Sequence, residues 1–147
     1  MWKLPVRYIC PFIVILVSPL PVWALCCPGD ANVIKSAGTG IGQPQPPATD
    51  LSFDGAWHVH AFERHGISYL QVSDDRGALQ FIIGHSGEHF WLLPAGPIDT
   101  VIRLPSDPGE PAPATGLEVY RHSFFRLVVD RSGGVPAWWV EKLSALP

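Results

Sequence analysis

Cysteine is nearly missing from this chain: of three in 147 residues, at positions 10, 26 and 27, none lies beyond Cys27. No disulfide can staple the remainder, so whatever folds there depends on an apolar core. Charge is also thin, at 16% of residues, and lysines and arginines nowhere form a run. That removes the basic surface which nucleic acid and anionic membranes select. A third absence is helical periodicity: no apolar pattern of 3.6-residue period lasts beyond two turns, which excludes long amphipathic helices. Present instead are 16 prolines and 14 glycines, with aromatic and branched residues arriving in short bursts between them.

The first residues read as an export signal. Lys3 and Arg7 precede an apolar run from Tyr8 to Val17, and SPLP leads to Val22-Trp23-Ala24, the small-residue exit that a signal peptidase reads. Cleavage is expected after Ala24, giving a signal peptide over 1–24 and a periplasmic or secreted product. A permanent membrane helix over 8–27 would have the length, but Pro11, Pro19 and Pro21 each break it. A third route is a lipid anchor at Cys26 or Cys27, which would tether the domain to a membrane. Leu25 and Cys26 then stand where a bacterial lipobox wants a small residue. The adjacent cysteines otherwise suit a vicinal disulfide, a soft metal, a cross-link between chains, or an idle terminus. Loss of Lys3 and Arg7 leaves eight Lys and Arg against thirteen Asp and Glu, a formal charge of −5.

Residues 25–52 are rich in Gly, Pro, Ser, Thr and Gln and read as a flexible linker, too poor in large apolar groups to offset the entropy of ordering. GTGIG within it lacks the Lys-Ser/Thr ending and the strand-to-helix context of a phosphate loop. Residues 53–147 read as one all-β domain. Its expected strands are 57–63, 67–73, 78–83, 89–93, 99–103, 117–121, 124–129 and 137–143, an antiparallel meander forming a sandwich or partly open barrel. About 95 residues can bury roughly 60–65% of their unfolded surface, a modest core. The proline-rich stretch Leu104 to Gly116 is expected as a surface loop.

Register can be read from the turns. A turn at His65-Gly66 pairs Glu63 with Ser68, Ala61 with Leu70, Val59 with Val72 and Trp57 with Asp74, making one face apolar. The opposite face pairs Phe62 with Tyr69, His60 with Gln71 and His58 with Ser73. A four-residue turn at Asp74-Asp75-Arg76-Gly77 then pairs Val72 with Leu79, Leu70 with Phe81 and Ser68 with Ile83. The third turn, around Gly84 to Glu88, leaves either Trp91 and Leu93 or Phe90 and Leu92 inward. Trp138 and Trp139 are consecutive on a strand, so one of them must leave the core.

All six histidines lie in the domain. His58 and His60 are two apart on a strand, close enough to share a zinc or copper ion, yet a site needs further ligands, and their neighbours Gln71 and Ser73 are poor ones. GHSGE, Gly84 to Glu88, resembles the serine-hydrolase elbow GxSxG but ends in Glu88 and lies between strands. Asp74-Asp75 reads as turn chemistry. The aromatic surplus is the stronger signal, since tryptophan and tyrosine concentrate at binding hot spots. The expectation is a non-enzymatic binding or accessory module without a resident cofactor. It would engage a protein partner through Phe62, Tyr69, His58, His60 and Trp139, or through an exposed sheet edge. The alternative is periplasmic metal binding through His58 and His60, with zinc or copper as the ion.

Overall fold

A computed structural model describes residues 36–144. The signal segment 1–24, the cysteine pair and residues 25–35 lie outside the described residues. Eight strands form: β1 (Trp57–Arg64), β2 (Ile67–Asp74), β3 (Leu79–Ser86), β4 (His89–Leu93), β5 (Val101–Arg103), β6 (Leu117–Arg121), β7 (Phe125–Asp130) and β8 (Ala137–Lys142). There is no helix among the described residues. One sheet has the order β1-β2-β3-β4 and the other β5-β8-β7-β6. The meander holds for the first sheet. The second is mixed, because β5 runs parallel to β8, a pairing that needs a long crossover, here through β6 and β7.

Alternation along the strands builds the core between the sheets. Val59, Leu70, Val72, Phe81 and Ile83 of the first sheet meet Val119, Leu127, Val129, Trp138 and Val140 of the second. Trp138 lies edge-on to Trp57 and Phe81, with ring centroids 4.7 and 5.0 Å away. Its neighbour Trp139 takes the outer face, where its Nε1 donates to the Glu110 carbonyl at 3.2 Å. The loop carrying Glu110 lies over that face: the Ala112 N–H donates to Glu141 Oε1 at 2.8 Å, and Arg126 bonds the other oxygen of the same carboxylate.

The first hairpin has the expected pairs throughout, from Trp57 with Asp74 to Glu63 with Ser68. The second keeps its apolar face but is displaced by two residues, pairing Val72 with Phe81, Leu70 with Ile83 and Ser68 with His85. Two causes add. Asp74 Oδ1 accepts from the N–H groups of Arg76 and Ala78, at 3.0 and 2.7 Å, so the loop runs to Ala78 and is one residue longer than the four-residue turn. A bulge then leaves Gln80 as an extra residue between the Ser73–Leu79 and Val72–Phe81 pairs. One residue of slip would turn the apolar set outward, and the second restores it. At the third turn β4 settles with Phe90 opposite His85 and Leu92 opposite Ile83, which directs Phe90 and Leu92 toward the core side.

The larger departure is at residues 36–52, expected as linker. They form a strap along β1 and across the outer face of the first sheet. Ala37 accepts from the Glu63 N–H at 3.1 Å and donates to the Ala61 carbonyl at 2.9 Å, and the Leu51 N–H donates to Val59 at 2.8 Å. Main-chain pairing with the free edge of β1 supplies what the strap's poor apolar content cannot.

Candidate functional site

The strap changes the character of the first hairpin's outer face. Gln71 is fully buried there: its Oε1 accepts from the Gly42 N–H at 2.7 Å and its Nε2 donates to the Gln43 carbonyl at 2.8 Å. One side-chain amide thus pairs with strap backbone as a neighbouring strand would. Phe62 is 2% exposed and His60 8%; Tyr69 is half-buried. Sequence alternation places these side chains together correctly, but the chain itself covers the surface they form. Trp139, the fifth expected contact residue, lies on the other sheet beneath the Glu110 loop, so the five do not form one surface.

His58 and His60 share a face, with ring centroids 6.3 Å apart. His58 Nδ1 bonds Asp50 Oδ2 at 2.7 Å, and Asp50 Oδ1 accepts from the Val59 N–H at 2.9 Å. Burial pushes the Asp50 carboxyl up, but the His58 contact and the N–H groups of Val59 and Ser52 outweigh it and hold the pKa at about 2. Asp50 is therefore a latch that holds the strap to β1, with His58 as its partner. Among the described residues no group of three or more His, Cys, Asp or Glu side chains could hold a metal ion.

A second histidine pair lies at one end of the sandwich. His85 and His122 approach to 5.8 Å between ring centroids, inside a box of Phe90, Phe124 and Phe125. His85 Nδ1 and His60 Nδ1 are buried without a hydrogen-bond partner. Burial lowers the pKa of His60, His85 and His122 below the ordinary histidine value; His58 adds to the effect at His60, against Asp50, and His122 adds to it at His85. Each group is depressed in the folded state, so the unfolded chain takes up protons first, from about pH 6.5. The thermal midpoint is expected to be flat above neutrality and to fall as pH drops from about 6.5 to 5. His85→Phe should remove part of that slope. Circular dichroism melts checking this would contradict buried neutral imidazoles if the midpoint stayed level or rose across the window.

Ser86 of the GHSGE stretch ends β3 at an exposed position, and its neighbour His85 belongs to the aromatic box. Asp74 is occupied with its own turn.

The sandwich has two lateral sides, and they differ. On the first, β1 packs beside β6, and the chain before β1 bonds both edges: Leu51 of the strap bonds β1, and the N–H of the next residue but one, Phe53, donates to the Val119 carbonyl of β6 at 2.8 Å. On the second, β4 and β5 are the outer strands. The far side of β4 carries no ladder among the described residues. Leu92 of β4 is 40% exposed, Val101 of β5 is 45% exposed, and Ile98 in the connection between them is fully exposed. The chain matches no family of known proteins, no curated protein and no solved structure. The site must therefore be judged by its own chemistry, and the open side is the place where apolar groups and unpaired main-chain groups meet water together. Sequence reasoning left β4 open between Trp91 with Leu93 and Phe90 with Leu92 inward, and it gave Gln71 and Asp50 no role in holding the strap. For β4 the signal was present in HFWLL, an apolar strand without charge or proline. For Gln71 and Asp50 it was absent, because their partners come from the strap.

Proposed function

We propose that this chain is an exported, non-enzymatic binding or accessory module that engages a protein partner at the open edge of β4. The observation that carries the reading is the asymmetry in main-chain pairing of the two sides: β1 and β6 take hydrogen bonds from the segment before β1, while the far side of β4 takes none among the described residues and has exposed Leu92 on it. An unpaired strand edge is a template for an extended segment of another chain, with main-chain bonds giving affinity and side-chain pockets giving selectivity. The face bearing Phe62, Tyr69, His58 and His60 is a weaker choice, because the strap occupies it. Zinc or copper held by His58 and His60 is weaker still, since Asp50 already takes His58 Nδ1. Export rests on the leader's charge and apolar pattern.

The test is capture from envelope and culture fractions with the wild-type chain, with Leu92→Lys, and with Phe62, Tyr69 and His60 together changed to alanine. Leu92→Lys places a charge on the docking edge and is expected to abolish capture while the chain still melts cooperatively as a folded domain. A partner retained by Leu92→Lys but lost with the triple substitution would move the site to the strap-covered face.

A further inference from the structure

We propose that β4 pairs antiparallel with β4 of a second copy of this chain, about a twofold axis at Trp91. The proposal rests on the reading of β4 as a docking edge and names its partner. Gly87 and Glu88 form a two-residue turn between β3 and β4, with Gly87 at φ 56° as the first central position of a type II′ turn requires. Such a turn is closed by a hydrogen-bonded pair, here Ser86 with His89. Bonded and non-bonded pairs alternate from that point. His89, Trp91 and Leu93 therefore spend their main-chain groups on β3, and the N–H and C=O of Phe90 and Leu92 face outward.

A second β4 laid antiparallel meets this pattern in few registers. With the axis at Trp91, Phe90 faces Leu92 of the other copy and Leu92 faces Phe90, so each outward N–H and C=O finds its complement. With the axis at Leu92, Phe90 would face Pro94, which has no N–H. With the axis at Phe90, Leu92 would face the turn residue Glu88. An axis between two residues would set an outward-facing residue against an inward-facing one. The strand is self-complementary at Trp91 alone.

The side chains suit that approach. A Cβ at Gly84 would collide with the Trp91 indole, so the glycine lets this ring lean back over β3, and the edge stays clear for another backbone. Leu92, on the core-facing side of β4, would come to lie beside Phe90 of the other copy, withdrawing its exposed surface. Edge strands are ordinarily guarded by lysine, proline, a bulge or a covering segment. β1 has the strap, β6 takes a bond from Phe53, β5 has only three residues, and β4 has none of these devices among the described residues. A twofold pairing uses the same edge of the first sheet on both molecules, so it closes rather than propagating through β4.

The experiment is sedimentation velocity of the purified chain over a concentration series, joined to site-resolved amide exchange. A monomer–dimer equilibrium is expected. The Phe90 and Leu92 amides should exchange more slowly as concentration rises, while those of His89, Trp91 and Leu93 are protected at every concentration. Leu92→Pro removes an outward N–H from each copy and is expected to weaken dimerisation by roughly thirtyfold, at about 1 kcal/mol per bond. Leu92→Lys should do so without depending on proline's fit to the strand. A wild-type chain that stays monomeric overturns the proposal, as does a dimer that survives Leu92→Lys or leaves the Phe90 and Leu92 amides unaffected. A monomeric wild type whose captured partner is lost with Leu92→Lys would overturn the self-pairing and keep the docking edge.

Discussion

Trp138→Ala is expected to lower stability by about 3–5 kcal/mol, the range for removing a large buried aromatic and leaving its cavity. A small domain has about 5–15 kcal/mol in total, so this single change should leave the chain close to unfolding. The reason lies in the position of the ring. Trp138 is fully buried, reaches from the second sheet into the first, and meets Trp57 and Phe81 edge-on at interplanar angles of 75° and 71°. No cysteine lies in residues 36–144, so no cross-link limits the consequence. Trp139→Ala is the control: that ring is half-buried on the outer face and should cost about 1 kcal/mol through lost packing and its bond to Glu110. Trp138→Phe should fall between, since it keeps an aromatic ring and deletes an indole N–H that has no partner. Chemical denaturation midpoints give the order. Equal midpoints for the two alanine variants would mean that Trp138 does not join the sheets as described.

That pair of tryptophans shows where sequence reasoning succeeds. Alternation alone required one of them to leave the core, but only the Val129–Trp138 and Val128–Trp139 pairs decide which. The eight strands were legible because each is a short apolar burst between turn residues. The first hairpin's register was legible because a two-residue turn leaves little choice. The second was not, because Asp74 lengthens the loop by bonding Ala78, and no composition rule announces the bulge at Gln80. Least legible was the strap. Its prolines and glycines signal an unfolded segment, and its partners Ala61, Val59 and Gln71 lie far along the chain. What orders it is mostly main-chain hydrogen bonding, which every sequence can offer and which no residue type encodes. The buried face of the first hairpin followed from the same omission: Phe62 and His60 are on the side predicted, beneath a segment expected as a flexible linker.

Gln71 is where that omission can be tested most sharply. Gln71→Ala is expected to cost about 2–4 kcal/mol, from two lost bonds of about 1 kcal/mol each and the vacated space of a buried side chain. The loss should be local before it is global, because the strap is joined to the sheet by few groups and can open while the sandwich persists. Amide exchange at Ala37, Gly42 and Leu51 is expected to accelerate far more than exchange in β7 and β8, and His60 should become reactive toward imidazole-directed reagents. Protection unchanged at Ala37 and Leu51 would mean that the strap is held without Gln71. Gln71→Glu refines the test. A carboxylate keeps an acceptor for the Gly42 N–H but has no donor for the Gln43 carbonyl, and a fully buried site favours its neutral, proton-donating form. Its folded pKa is therefore raised above the unfolded value of about 4.3. Stability in this variant is present at low pH and lost as pH rises through the raised pKa. The strap of Gln71→Glu should thus detach on raising the pH, opposite in sign to the wild-type destabilisation through His60, His85 and His122, so the two effects separate within one titration.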